Sequence, residues 1–289
     1  MTDPIPHTHS ETKNSNLELI RRVISGLALA IVALVADYLG GVFFSGLWVV
    51  AAALVLREWL ALVGVDGIKR AFTFAIGLVV LVIYGYFSSL GNGSVEEYFY
   101  VLAAGFCFIL VLNYRSIILG LWSCAGLCYS LVLVVSPIFL RGDSTEGFLL
   151  VLWLFAVVWF ADIGAFFVGR KIGGPKLWPA VSPKKTWSGF IGGVLLGASA
   201  GFGVAFVGQE FLSVSWFQGT ELLLFSLGCA LISQAGDLFE SALKRRFHRK
   251  DSGQLIPGHG GIMDRLDSFV AASFYALVVI NVFGSGNPF

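Results

Sequence analysis

Nine apolar stretches, each near the length of a bilayer crossing, dominate the sequence. They cover residues 19–38, 42–63, 71–91, 98–114, 117–140, 147–168, 189–208, 220–237 and 268–285. A helix needs about 20 mostly apolar residues to span the hydrocarbon core. Within lipid the backbone must satisfy its own polar groups, which leaves helices and closed barrels as the only spanning structures. Strict polar–apolar alternation is missing from these stretches, and that argues against a barrel. The pattern predicts an all-α, polytopic membrane protein with about nine transmembrane helices. Composition agrees: 57% of residues are apolar and 13% are charged, the latter about half the share of a soluble domain. A disordered chain, a disulfide scaffold and an ordinary soluble globule are excluded on that ground.

The four cysteines, Cys107, Cys124, Cys128 and Cys229, all lie in apolar runs and lack CxxC spacing. They read as small buried hydrophobes. Residues 1–18 are mostly polar, include His7 and His9, and read as a disordered tail rather than a cleaved signal peptide.

The placement of charge carries more than its sum. Net charge is +1, so no global basic field points to nucleic acid. With nine spans, 18 of the 19 basic residues fall on one side, and Arg141 alone falls on the other. Glu96, Glu97, Asp143, Glu146 and Glu210 occupy the opposite gaps. The positive-inside rule then predicts a cytoplasmic N-terminus and an external C-terminus. Two long segments, 169–188 and 238–267, become cytoplasmic loops. Asp37, at the outer end of the first span, reads as hydrated. Arg57 and Glu58 read as an ion pair at the membrane interface, with snorkelling side chains.

The later segment reads DLFESALKRRFHRKDSGQLIPGHGGIMDRLDS from Asp237 to Ser268. If the eighth helix continues past Asp237, then Ser241, Lys244 and Arg245 share its face. A Gly/Pro/His turn follows, and Gly260 and Gly261 permit tight bends and close approach of N–H groups to an anion. Asp264 and Asp267 share a face at the start of the ninth span. Hard carboxylates suit Mg²⁺, and cations suit phosphates. A basic loop resting on lipid headgroups would explain the lysines and arginines. It would not explain three aspartates at helix ends, where carboxylates are costly.

The earlier segment starts at Asp162, an ionisable group inside an apolar span. Gly169, Gly173 and Gly174 suggest a flexible loop. Ser182, Lys184, Lys185 and Thr186 bring hydroxyls and ammonium groups together, suited to a triphosphate or a lipid phosphate. Trp178 and Trp187 are also compatible with a simple interfacial anchor. Gly193, Gly197 and Gly201 form a small-residue face, open to use as an internal contact or as a homodimer interface.

Ser241-x-Leu243-Lys244-Arg245, Lys250-Asp251 and His259-Gly260-Gly261-Ile262-x-Asp264-Arg265-Leu266-Asp267 together resemble the signature of the phosphatidate cytidylyltransferases, or CDP-diacylglycerol synthases. The match runs over 27 residues with every fixed position filled. The stretch from Asp162 to Ser182-Pro-Lys-Lys-Thr resembles a second element of that family. The first 140 residues match only in hydrophobic character, so 19–140 reads as scaffold and 141–289 as the catalytic region. The resemblance implies a bacterial inner-membrane nucleotidyltransferase of phospholipid biosynthesis. Its substrates are CTP and phosphatidate, and its products CDP-diacylglycerol and pyrophosphate. It implies Mg²⁺, with a second, monovalent cation such as K⁺ in family members. Asp237, Asp264 and Asp267 are the expected metal ligands. Lys244, Arg245, Lys250 and Arg265 are expected on phosphates, with Ser241 beside them. Asp162, Ser182, Lys184, Lys185 and Thr186 are expected at substrate. His259, with Gly260 and Gly261, either donates to a phosphate or fixes the turn. A CTP-dependent lipid kinase of the polyprenol or phytol type shares much of this logic. An anion transporter would want charge near the midplane.

Overall fold

The computed structural model describes residues 8–90, 95–212, 219–255 and 260–283. Among them nine helices follow one another: α1 Thr8–Leu39, α2 Gly41–Leu62, α3 Gly67–Leu90, α4 Val95–Leu112, α5 Ile117–Arg141, α6 Thr145–Ile172, α7 Trp187–Leu212, α8 Gly219–Arg246 and α9 Met263–Phe283. Each expected apolar stretch overlaps one of them. Seven, α2, α3 and α5 to α9, are long and apolar enough to cross a membrane; α1 and α4 carry shorter apolar segments, Ile24–Leu39 and Phe99–Leu112. The chain is an all-α polytopic membrane protein.

Helix ends follow local chemistry. Ser116 and Ser144 cap α5 and α6, their hydroxyls accepting from Leu119 N–H and Gly147 N–H. Gly142 and Gly173 close the same two helices with positive φ. No glycine or proline lies between Thr8 and Ser25, and α1 runs through the part of the expected tail from Thr8 onward.

The core sits where α2, α5, α6, α8 and α9 meet. Trp48 of α2 stacks on Phe269 of α9 with ring centroids 4.5 Å apart. Trp153 of α6 stacks on Phe225 of α8 at 4.3 Å. Both rings of the buried pair Trp59 and Trp153 also place their N–H: Trp59 donates to Trp122 O at 2.8 Å and Trp153 to Ser226 Oγ at 3.1 Å. Each such bond offsets the cost of burying an indole N–H in a low-dielectric interior. Outward faces are apolar instead, as at Phe43, Phe72, Phe108, Leu121, Phe166, Leu195 and Val278. So large an apolar exterior is what a lipid-facing surface requires. Cys107 and Cys128 belong to that exterior, while Cys124 and Cys229 are buried, so only two of the four cysteines are core residues.

α6 and α7 pack backbone to backbone. A Cβ at Gly164 would lie 2.8 Å from Gly192 O, one at Gly193 2.6 Å from Ala161 O, and one at Gly197 2.7 Å from Val157 O. The small-residue face of α7 is thus an internal contact.

Further sequence expectations are corrected. Asp37 is not hydrated but fully buried, and its carboxylate pairs with Arg141 at 3.0 Å. The lone basic residue assigned to the acidic side is thereby neutralised, which an intramembrane charge demands. Glu58 does not sit at a wet interface with Arg57 but is 4% exposed and turned toward the start of α9. The segment 169–188 is not a flexible loop. α6 continues to Ile172, and a two-stranded antiparallel hairpin follows, β1 Lys176–Trp178 and β2 Ser182–Thr186. Gly173 and Gly174, at φ 66° and 99°, make the bend into it. The segment 238–267 likewise begins as helix, since α8 runs to Arg246.

Candidate functional site

α6, the hairpin, α8 and α9 surround a cavity of about 960 Å³, toward the large end of small-molecule sites. Its wall carries six carboxylates, Asp162, Asp237, Glu240, Asp251, Asp264 and Asp267, and six cations, Arg170, Lys176, Lys184, Lys185, Lys244 and Arg265. Ala165, Phe166 and Phe190 add apolar surface from α6 and α7. Two segments separated by some fifty residues in sequence therefore build one site.

α8 supplies the central row. Asp237, Ser241 and Lys244 recur at helical spacing, and Ser241 Oγ donates to Asp237 Oδ1 at 3.4 Å. Glu240 is fully buried. Lys244 Nζ stands 2.6 Å from Glu240 Oε2 and 2.6 Å from Asp264 Oδ1, so one ammonium ties α8 to the start of α9. Asp237 is held from the opposite side, its Oδ2 2.6 Å from Lys185 Nζ on β2. Arg245 faces away from the cavity and donates to Val181 O at 3.3 Å and Arg249 O at 3.2 Å. It braces the hairpin turn through the first of these bonds.

α9 supplies the rest. Asp264 Oδ2 accepts from Gly261 N–H at 2.9 Å and Ser252 N–H at 3.2 Å. Asp267 is buried, and its Oδ1 accepts from Ser268 N–H at 2.7 Å. The charges of Asp162, Asp237 and Asp267 act on one another across the cavity. That crowding of hard oxygen donors suits a divalent cation in kind. Among the described residues no three carboxylate, histidine or cysteine side chains converge as a ready metal cluster. Lys185 and Lys244 supply the positive charge on Asp237 and Asp264.

The glycines of the signature have steric reasons. Gly260 has φ 86°, and a Cβ there would stand 3.0 Å from Asp264 Oδ2. A Cβ at Gly261 would strike Ser252 Oγ and the Glu58 carboxylate. His259 lies outside the described residues. Thr186 is buried and caps α7, accepting from Gly189 N–H at 3.2 Å. Lys250 lines a smaller cavity of about 380 Å³ with Arg249, Ser252 and the end of α2.

Of the expected site residues, Asp162, Lys184, Lys185, Thr186, Asp237, Lys244, Asp264, Arg265 and Asp267 line the large cavity. Ser182, Ser241, Arg245, Lys250, Gly260 and Gly261 do not. Sequence reasoning passed over Glu240, Ser252 and Glu58. Glu240 was visible as the i−4 partner of Lys244. Glu58 offered only its position, an acid at the end of an apolar run.

Residues 20–283 match the profile of the cytidylyltransferase family. The phosphatidate cytidylyltransferase of Brucella suis biovar 1 (strain 1330) is 38% identical over 260 residues, covering 90% of this chain and 91% of that protein. The phosphatidate cytidylyltransferase of Bacillus subtilis (strain 168) is 31% identical over 277 residues, covering 88% and 94%. The one from Staphylococcus epidermidis (strain ATCC 35984 / DSM 28319 / BCRC 17069 / CCUG 31568 / BM 3577 / RP62A) is 42% identical over 141 residues, about half of each chain. With nearly the whole length matched, signature and scaffold together, the chain belongs to the cytidylyltransferase family.

Proposed function

We propose that this chain is a phosphatidate cytidylyltransferase: CTP and phosphatidate give CDP-diacylglycerol and pyrophosphate, a step of phospholipid biosynthesis. The observation that carries this reading is the cavity between α6, the hairpin, α8 and α9, where six cations face six carboxylates at the ends of membrane helices. Phosphatidate stays in the bilayer and CTP stays in water, so their reaction belongs at such a boundary. The charge asymmetry of the sequence supports a bacterial inner-membrane protein with this cavity on the cytoplasmic side and an external C-terminus.

In the transfer, an oxygen of the phosphatidate phosphomonoester attacks the α-phosphorus of CTP. The bond to the bridging oxygen breaks, and pyrophosphate leaves with its electron pair. The nucleophile is already an anion, so a strong base is not required. The barrier is the approach of anions and the charge on the leaving group. Lys184, Lys176, Arg170 and Arg265 are placed to bind phosphate oxygens, and the hairpin sets the reach of the first two. Asp237, Asp264 and Asp267 would hold Mg²⁺, which supplies charge neutralisation on the triphosphate when bound, and a monovalent cation such as K⁺ would share the site. Lys185 and Lys244, released from their carboxylates, would then face phosphate.

The test uses purified protein in detergent with phosphatidate, Mg²⁺ and CTP labelled at the α-phosphate. Label should move into CDP-diacylglycerol with one pyrophosphate per lipid. Release of labelled CDP with a phosphorylated lipid would instead mark a CTP-dependent lipid kinase.

A further inference from the structure

Glu58 lies near the end of α2, in the half of the chain that reads as scaffold, yet its partners are all in the signature segment. Its Oε2 accepts from Ser252 Oγ at 3.0 Å and Met263 N–H at 2.9 Å, and its Oε1 accepts from Ile262 N–H at 3.0 Å. The residue is 4% exposed. Met263 is the first residue of α9. Its N–H is among those that a helix leaves without an internal partner. A carboxylate there satisfies the orphan donor and opposes the positive end of the helix dipole. Glu58 thus serves as the cap of α9, supplied by another helix some two hundred residues earlier.

The surroundings are shaped to it. A Cβ at Gly253 or at Gly261 would run into the Glu58 carboxylate. The acid takes the side-chain space of Gly253, and shares that of Gly261 with Ser252 Oγ. The same short stretch orients Asp264, whose carboxylate accepts from Ser252 N–H and Gly261 N–H. One turn later α9 presents Asp267 to the cavity. Ser252 is shared, giving its hydroxyl to Glu58 and its N–H to Asp264.

We infer that Glu58 is a positioning residue for the transfer reaction: by fixing Ser252, Ile262 and Met263 to α2, it sets where Asp264 and Asp267 stand in the cavity. This rests on the cytidylyltransferase reading above. α2 is then part of the catalytic frame, and the N-terminal half does more than face lipid.

The test compares wild type, Glu58→Gln, Glu58→Asp and Ser252→Ala in the full-length protein in detergent. Glu58→Gln keeps shape but turns one acceptor into a donor facing N–H or O–H groups. Misplacement by about 1 Å can lower turnover on the order of 100-fold. The expected result is a fall in kcat of at least tenfold, with the KM for CTP changed less than threefold and a higher Mg²⁺ concentration at half-maximal rate. Glu58→Asp should recover part of the kcat. Ser252→Ala, which leaves the two backbone bonds in place, should show a smaller fall. Amide hydrogen exchange at Ile262 and Met263 should quicken in Glu58→Gln. Wild-type kcat and Mg²⁺ dependence in folded Glu58→Gln, or unchanged exchange at those amides, overturns the inference. Should Glu58→Gln not fold, a Ser252→Ala enzyme with wild-type kcat and Mg²⁺ dependence overturns it instead. A wild-type protein that makes no CDP-diacylglycerol would count against the proposed reaction, while the exchange data would still judge the clamp.

Discussion

Lys244 holds Glu240 and Asp264 together with a single ammonium group. Carboxylates this buried need a counter-charge, and here one cation serves both acids. Asp264 is the pivot, since it faces the cavity while accepting from Gly261 and Ser252. Asp264→Asn retains one oxygen for those N–H groups but loses the charge. Formation of CDP-diacylglycerol should then drop by about 100-fold or more, the scale of losing one pre-set electrostatic group. Insertion and gel-filtration behaviour should be unchanged. Undiminished turnover by this variant with Mg²⁺ would remove Asp264 from the set of metal ligands.

At the scale of elements, the contact of α6 with α7 depends on hydrogen atoms where side chains would otherwise be. A Cβ at Gly197 would meet Val157 O at 2.7 Å and Ala161 Cβ at 2.9 Å, whereas one at Gly203 meets nothing within 4 Å. Gly197→Val should therefore lower the melting temperature in detergent sharply and reduce activity through the hairpin between these helices. Gly203→Ala should be neutral or stabilise by roughly 0.5–1 kcal/mol, the helix-propensity difference. Equal effects at both positions would show that the seam is not what holds the pair. The contrast also shows what was legible. Apolar length and spacing disclosed every helix, and the spacing of Asp237, Ser241 and Lys244 disclosed their common face. The glycine repeat was visible as a face, but its partner was not, because spacing records one helix at a time. Asp37 with Arg141 and Glu58 with Met263 escaped for the same reason. Each charge is explained by a residue on a distant helix. The hairpin escaped because its strands are short and its sequence, SPKKT, is polar and lacks a strand's apolar alternation.

At the scale of the molecule, the nine-span expectation gathers basic residues at one end of the helices and acidic ones at the other. The orientation expected from this can be read with single cysteines in a cysteine-free background. A membrane-impermeant maleimide applied to spheroplasts should label Glu210→Cys directly and Lys176→Cys only after permeabilisation. The reverse pattern would place the cavity outside and rule out cytoplasmic CTP as its substrate. The seam between α6 and α7 also bears on traffic through the membrane. From Gly169 against Gly189 to Gly197 against Val157, the two backbones touch, so this side of the site is a sealed wall. A lipid whose tails remain in the bilayer would then reach the cavity through another gap between helices.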